Sequence, residues 1–379
     1  MRIVFQYYSG GGGGLANFAL LLQAYLHRFP EDHITIVCSD NSSLRQLKFA
    51  SNADVILIRE GRFKELTRLW LGCVELNSIA KRTRADIIWS LNLGTYIKSK
   101  IPTVLSLNNA HQVYPKEDTK THPGGGLRVF LLRLFFRLSS RAAHGIIVQT
   151  PLMAKYVIDR CGKNYPVGIV PKAVEVDRDV GFEPLPAHIT DRLDRRSVMR
   201  EINWLYVATS VPHKNHAVVI QAFQILKNQG KKHRLVLTID EESAIQWGGD
   251  SARQLIREGS LVALGWINKV HLKSLYAKCD ACLMPSVLES LSSSHLEAME
   301  WGLPQIVADL PYARDLCGDA AVYVNPYDAE QWARAAERLS EDGVLQKRLV
   351  SEGRKRMSEF PESWTECAER IRLFFNSIE

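Results

Sequence analysis

The sequence predicts an α/β protein made of two doubly wound domains, each a parallel sheet covered by helices on both faces. Two observations carry this. Short apolar runs alternate with helix-like stretches from end to end, and the runs are continuously apolar, as in strands buried on both faces of a parallel sheet. The chain is also 379 residues long, more than one ordinary domain needs.

In the first half the strand-like runs are RIVFQYY, ITIVCS, DVILI, DIIWSL, PTVLSL, GIIVQT and VGIVPK. In the second they are NWLYVAT, RLVLTI, LVALGW, ACLMPS, PQIVAD and AVYVNP. Between them the charged, proline-bearing stretch 176–198 reads as a linker, which gives a first domain at 1–175 and a second at 199–359. Doubly wound sheets bind ligands beyond the carboxyl ends of their strands, so the expected site is a cleft where two such domains face each other.

Composition is that of a globular protein, 46% hydrophobic and 23% charged. No apolar run of about 18 residues suggests a membrane span. The first strand begins at Arg2, leaving no room for a leader. Seven scattered cysteines suit a reducing cytosol, and Cys279 and Cys282, a lone CxxC, read as structural. Charge is uneven. Residues 1–172 hold 23 Lys+Arg against 11 Asp+Glu, and the remainder 25 against 30. Aromatic platforms interleaved with the basic residues are lacking, so nucleic acid is not the expected partner. An anionic membrane surface is.

Two segments stand apart. The polar stretch YPKEDTKTHPGGG, 114–126, reads as a loop. It leads into LRVFLLRLFFRLSSR, where Arg128, Arg133, Arg137 and Arg141 interrupt an apolar helix. Such a helix either packs in the core with its arginines reaching solvent or lies on a membrane with them at the headgroups.

The stretch YYSGGGGGLANFALLL, 7–22, has glycine and alanine at 11, 13 and 16 in the spacing of a dinucleotide-binding turn. Phe18, Leu21, Leu22, Tyr25 and Leu26 then fall on one helical face. Asp40 even ends the next strand, where a ribose-binding acid would stand. A dehydrogenase would account for these 40 or so residues and for nothing after 200.

Residues 284–314, MPSVLESLSSSHLEAMEWGLPQIVADLPYAR, carry the chemistry. A strand delivers the chain to a turn holding Glu289. Serines 290, 292, 293 and 294 follow, then a helix through Glu297 that ends at Gly302-Leu303-Pro304. The N–H groups at a helix start, with the dipole behind them, form an anion site to which serine hydroxyls add donors. Carboxylates flanking a bound phosphate suit diols, and together they describe a well for a nucleotide sugar.

This E-x7-E spacing after a strand ending in PS, followed by EAMxxGLP, resembles the donor site of retaining glycosyltransferases of family 4, which have the GT-B fold. The resemblance runs through most of the second half. WLYVATSVPHKNH at 204–216 is similar to the family's phosphate-binding loop, with Lys214 as its lysine. LVALGWINKVHLKSLYAKCDACLMPS resembles the stretch bordering the base, which implicates Trp266 and Ile267. ADLPYARDLCGDAAVYVNPYD follows the usual tail, and PESWTECAERIRLFF resembles the terminal helix, about 360–379, that returns to the first domain.

The resemblance implies transfer of a sugar from a nucleoside-diphosphate sugar to a hydroxyl of a glycolipid or growing polysaccharide, with retention at the anomeric carbon. It implies no metal and no cofactor beyond the nucleotide-sugar co-substrate, and a place in the cytoplasm, peripheral on the inner face of the cell membrane. Gly13, Gly14, Lys214 and the backbone at Leu291, Ser292 and Ser293 would meet the diphosphate. Glu297 would hold the ribose, and Glu289 a hydroxyl of the transferred sugar. Two positions depart from the pattern. Thr209 stands where many members have an arginine five residues before the lysine, and Asn108 and Asn109 stand where a His-Asp pair is common, with His111 two residues on. An asparagine takes no proton at neutral pH, so either the leaving phosphate accepts it or His111 does. These departures keep a non-catalytic nucleotide-sugar-binding scaffold in view, and the fold admits a nucleotide-sugar epimerase. A phosphorylase would need a pyridoxal-phosphate lysine setting that the sequence does not offer.

Overall fold

The computed structural model describes residues 1–7, 13–42, 44, 49, 51–59, 67, 69–92, 94–115, 126–173, 182–194 and 201–378, without the side chains of 13–16, 127 and 128. The five-glycine stretch is therefore described only at Gly13 and Gly14, and the loop expected at 114–126 only at its two ends. The chain forms two compact units. The first comprises Met1–Glu117, Gly125–Ala173 and Pro361–Glu379, and the second is built on Val174–Phe360.

The first unit is built on β1 (Arg2–Tyr7), β2 (His33–Ser39), β3 (Ala53–Ile58), β4 (Ile87–Leu91), β5 (Thr103–Ser106), β6 (Gly145–Val148) and β7 (Val167–Ile169). These form one parallel sheet in the order β3-β2-β1-β4-β5-β6-β7. Strands β4, β5 and β6 are buried along their whole length, as their unbroken apolar runs require, while edge strand β3 leaves Val55 and Leu57 exposed. Helix α1 (Gly13–Arg28) lays Phe18, Leu21, Leu22, Tyr25 and Leu26 on this sheet, the face expected from their spacing. Helix α2 (Gly126–Ala142) covers β5.

The last helix, Trp364–Ser377, shares the same core. Trp89 sits between Phe5 and Phe375, with ring centroids 4.8 Å and 5.5 Å away. The approach is close enough that a Cβ on Gly145 or Gly168 would lie 2.8 Å from the Phe374 ring. Asp32, fully buried, accepts hydrogen bonds from Tyr25 (2.9 Å) and from Arg372 of the last helix (2.8 Å), and it pairs with the Met1 amine. A buried carboxylate needs such partners to remain charged, so the contact fixes the helix as well as satisfying the acid.

The second unit holds β8 (Ile202–Tyr206), β9 (His233–Leu237), β10 (Leu261–Ala263), β11 (Ala281–Met284), β12 (Gln305–Ala308) and β13 (Ala321–Val324), parallel in the order β10-β9-β8-β11-β12-β13. Part of the stretch read as a linker is helix α3 (Ala187–Asp194), whose Ile189 and Leu193 are buried. Its last-turn carbonyls have no intrahelical donors. Arg234, 3% exposed, supplies them, donating to Arg192 O (2.7 Å), Leu193 O (3.2 Å) and Gly259 O (3.1 Å). Charge and proline content signal a linker in sequence, but a distant buried arginine holds this segment to the sheet. Helices α4 (His216–Asn228) and α5 (Ser293–Glu300) follow β8 and β11.

Candidate active site

In both sheets the strand order reverses beside the first strand, between β1 and β4 and between β8 and β11. Chains leaving two such strands pass to opposite faces of the sheet, opening a crevice at their carboxyl ends. In the second unit this crevice lies between loop 207–215 and loop 285–292.

The two loops are tied together. Val287 N donates to His213 O at 2.8 Å. Tyr206, fully buried at the end of β8, donates to Lys214 O (2.7 Å) and lies 3.0 Å from Ser286 Oγ. Ser294 Oγ donates to Val207 O at 2.7 Å. Asn215 enters α4 with φ 52° and ψ 42°, left-handed values that asparagine tolerates better than most residues. Its amide donates to Pro285 O (3.3 Å) and Pro326 O (2.7 Å).

At the centre Lys214 Nζ pairs with Glu289 Oε1, the side chains only 16% and 12% exposed. Burial would raise the Glu289 carboxyl; the Lys214 charge and hydrogen bond, with His213 and His295 near it, hold it below its ordinary value instead. Glu289 is therefore an anion near neutral pH, and Lys214 its counter-cation. Glu297, in the second turn of α5, accepts a 3.0 Å hydrogen bond from Tyr276, whose hydroxyl burial keeps protonated. Of two acids eight residues apart, one thus pairs with a cation and the other accepts from a neutral hydroxyl.

Ser292 occupies the N-cap of α5 and Ser293 its first position, both beside buried Leu291. The first turn of any helix carries N–H groups without intrahelical partners, so α5 aims a partial positive charge into the crevice end that holds Glu289. Thr209 lies in the loop after β8; its carbonyl accepts from Val211 N at 3.0 Å and lies 3.1 Å from His216 Nε2. His216 is buried against Tyr206, and burial lowers its pKa to about 4. It is a neutral packing residue. Trp266 and Ile267 follow Gly265, which turns with φ 76°. Ile267 is buried, but Trp266 is 80% exposed and so is not a core residue. His295 is completely buried, with its ring 6.0 Å from Tyr312. Cys279 and Cys282 are buried and form no disulfide.

Among the described residues, the side chains at the first unit's crevice are mostly neutral by contrast. Gly13 and Gly14 begin α1 after β1. Asn92 follows β4 in a left-handed conformation, φ 63°, and its Oδ1 accepts from Asn108 N at 3.0 Å. Gln112 donates to Asn92 O at 2.7 Å. Asn109 caps the short helix Ala110–Val113 by accepting from His111 N. The carbonyls that close this turn are held by two arginines: Arg133 donates to His111 O and Tyr114 O (both 3.1 Å), Arg160 to Gln112 O and Tyr114 O (both 2.8 Å). Asp40 is bonded by Ser39 and paired through its N–H to Ile58 O, an ordinary strand-end residue. Among the described residues, no group of three or more His, Cys, Asp or Glu is placed to hold a metal ion.

Residues 191–356, which contain the whole charged crevice, match the family model described as Glycosyl transferases group 1. That stretch is therefore similar to glycosyl transferases group 1. Among curated relatives, O-antigen chain mannosyltransferase B of Escherichia coli is 27% identical over 43% of this chain. O-antigen chain mannosyltransferase RfbU of Salmonella typhimurium is 28% identical over 38%. The matched stretches span 42% and 39% of those relatives' own lengths. Beyond the family domain, the fold of the entire chain is similar to solved glycosyltransferases of the GT-B class. Sucrose-phosphate synthase of Thermosynechococcus elongatus superposes with a TM-score of 0.72 at 15% identity, covering 100% of this chain and 98% of that one.

The sequence does not single out Tyr206, Tyr276 or Asn215, which with Ser294 hold the charged crevice in shape. Asn215 alone leaves a local signal, an asparagine directly before a helix-like run. The tyrosines contribute hydroxyls across loops 21 to 80 residues away in sequence, for which no local pattern exists.

Proposed function

We propose that this protein is a retaining, metal-independent glycosyltransferase of family 4 that moves a hexose from a nucleoside-diphosphate sugar to a hydroxyl of a glycolipid or growing polysaccharide, in cell-surface polysaccharide biosynthesis. The observation that carries this is the Lys214–Glu289 pair at the strand-order reversal, beside the start of α5. The diphosphate takes Lys214 and the α5 N–H groups as its cationic partners, which shifts Lys214 from its carboxylate to the leaving group. Negative charge grows on that leaving group as the sugar bond breaks, and fixed donors aimed there lower the barrier. Glu289, released from part of its ion pair, accepts hydrogen bonds from the sugar hydroxyls. Glu297 does the same for the ribose, and exposed Trp266 with Ile267 borders the base. On the acceptor side the neutral Asn108 carboxamide bonds a hydroxyl, Gly13 and Gly14 let backbone approach the diphosphate, and the leaving phosphate takes the acceptor proton. The names of the curated relatives make a mannosyl donor the first to test. The enzyme would work at the cytoplasmic face of the membrane that carries its acceptor.

A panel of nucleoside diphosphates and their sugars, read by thermal shift with and without EDTA, tests the donor assignment. A donor at 100 times its Kd should stabilise by about 2.7 kcal/mol. Selective stabilisation by one base, unchanged by EDTA and lost in Glu297→Ala, is the expected result. A well-folded sample that responds to no nucleotide overturns it. Binding without transfer to any acceptor would favour the scaffold reading that Thr209 and Asn108 motivate, and sugar conversion without acceptor an epimerase.

A further inference from the structure

The strands at the edges of the two sheets are not alike. Strand β10 is buried throughout, β13 is buried or half-buried, and β7 lies against the Phe374 ring at Gly168. Among the described residues, β3 is the edge strand that exposes two large apolar side chains, Val55 at 40% and Leu57 at 50%. Its opposite face is fixed, because Ile56 and Ile58 pack on the core of Val4, Val37, Leu71 and Ile79.

Two hydrogen bonds to β2 set the direction of the β3 backbone. Ile34 N donates to Asn52 O and Asp40 N to Ile58 O, both at 3.0 Å. The register is continuous from Ala53 to Ile58. Successive residues of a strand turn their N–H and C=O groups to opposite sides, so Asn52, Asp54, Ile56 and Ile58 face β2. The peptide groups of Ala53, Val55 and Leu57 therefore face outward, where no described strand meets them. The residues with the open backbone include the two with exposed apolar side chains. An open, apolar edge of this kind is a template for a further strand.

The strand that fits is β3 itself. Copies related by a two-fold axis normal to the sheet run antiparallel and keep every side chain on its own face. With that axis at Ile56, the whole stretch from Ala53 to Arg59 is matched. Val55 then faces Leu57 of the second copy, Leu57 faces its Val55, and Ala53 faces its Arg59. Apolar side chains opposed in this way come within contact. The charges agree as well. Asp54, 2.8 Å from His33 but with 74% of its side chain exposed, begins the strand, and exposed Arg59 follows its end. Antiparallel pairing brings the acidic start of each strand to the basic end of the other.

We propose that β3 pairs with β3 of a second copy of this chain, joining the two seven-stranded sheets across a two-fold axis at Ile56. Strand β3 lies two strands away from the β1/β4 crevice, so this dimer and the transferase reading can each fail alone.

Sedimentation velocity of the full chain over a range of concentrations tests the pairing. Two short strands bury less than the roughly 1,200 Å² of a stable interface, so the dimer should dissociate with a Kd on the order of 10 μM. Leu57→Lys and, separately, Val55→Pro should each weaken it roughly tenfold or more. The proline removes an N–H that faces outward, so it leaves the ladder to β2 intact. Leu57→Lys lies on the surface, and its melting temperature in dilute solution should match the wild type. Under mild oxidation, a mixture of Val55→Cys and Leu57→Cys chains should cross-link well above either variant alone. A monomer at all concentrations up to about ten times that Kd overturns the proposal. So does a dimer that neither Leu57→Lys nor Val55→Pro weakens, association into open-ended species, or cross-linking no stronger in the mixture than in the single variants.

Discussion

The molecule contains the same crevice twice, and the two copies differ in charge. At β8/β11 the loops hold a buried lysine–glutamate pair, a second glutamate and a helix start. At β1/β4 the described residues are asparagines, a glutamine, a histidine and two glycines, with arginines spent on backbone carbonyls. Topology supplies a place where loops part, and side chains decide what the place can bind. A charged pair suits a phosphate, which needs fixed cations and repels none of the neutral donors nearby. A neutral, carboxamide-lined edge suits hydroxyls, where a charge would cost desolvation without a partner. Both crevices also spend an asparagine in the left-handed region, Asn92 in one and Asn215 in the other, to make their turns.

The largest effect expected from breaking this comparison is at the charged crevice. Lys214→Ala should lower the rate of transfer by about 10²–10³-fold, the usual cost of removing one donor to a developing anion. It should also lower stability by a few kcal/mol, because it strands the buried Glu289 carboxylate. Adding Glu289→Gln should restore the melting temperature and leave the activity low; a double variant as unstable as Lys214→Ala would show that the pair is not the source of the loss. At the neutral crevice Asn108→Ala should cost about tenfold, the value of one hydrogen bond to a neutral partner. An equal loss at both positions would erase the distinction between the two crevices.

The next effect is a pH response. His216 titrates near 4 in the folded chain, against 6.5 ordinarily, because burial opposes its charge. Between those values the unfolded chain binds the extra proton, so the contribution of His216 is complete above pH 6.5 and is lost as pH falls toward 4. The span is about 3 kcal/mol. His144 in the first unit and His233 in the second, both lowered first by burial, act in the same direction. Melting temperature followed from pH 7 to 4.5 should fall less in His216→Gln than in the wild type; parallel curves would remove His216 as the cause.

The smallest effect is conformational. Asn92→Ala and Asn215→Ala each force an alanine into a left-handed turn, at roughly 1–2 kcal/mol, and each also removes side-chain hydrogen bonds. Asn215 donates two such bonds where Asn92 accepts one, so Asn215→Ala should unfold at lower denaturant concentration than Asn92→Ala. The reverse order would mean that the turns are not held by these amides.

Much of the site was legible because its parts are local. The serines, Glu297 and the Gly302 stop lie within one strand–turn–helix, where spacing along the chain is spacing in space. The strands were legible for a related reason, since a strand buried on both faces must be apolar throughout. Trp266 was not, because periodicity does not tell an exposed tryptophan from a core one. Nor was α3, whose charge and prolines match a linker while its carbonyls are satisfied by Arg234, some 40 residues on.

The sequence by itself determined the two parallel sheets, the helical face of α1 and the acids, lysine and serines of the charged crevice. Each of these depends on residue type and short-range order. Tertiary structure alone decided that Lys214 neutralises Glu289 and that Tyr276 donates to Glu297. Those outcomes depend on which side chains meet across tens of residues, and a buried charge or hydroxyl accepts whichever partner the fold brings within hydrogen-bonding reach.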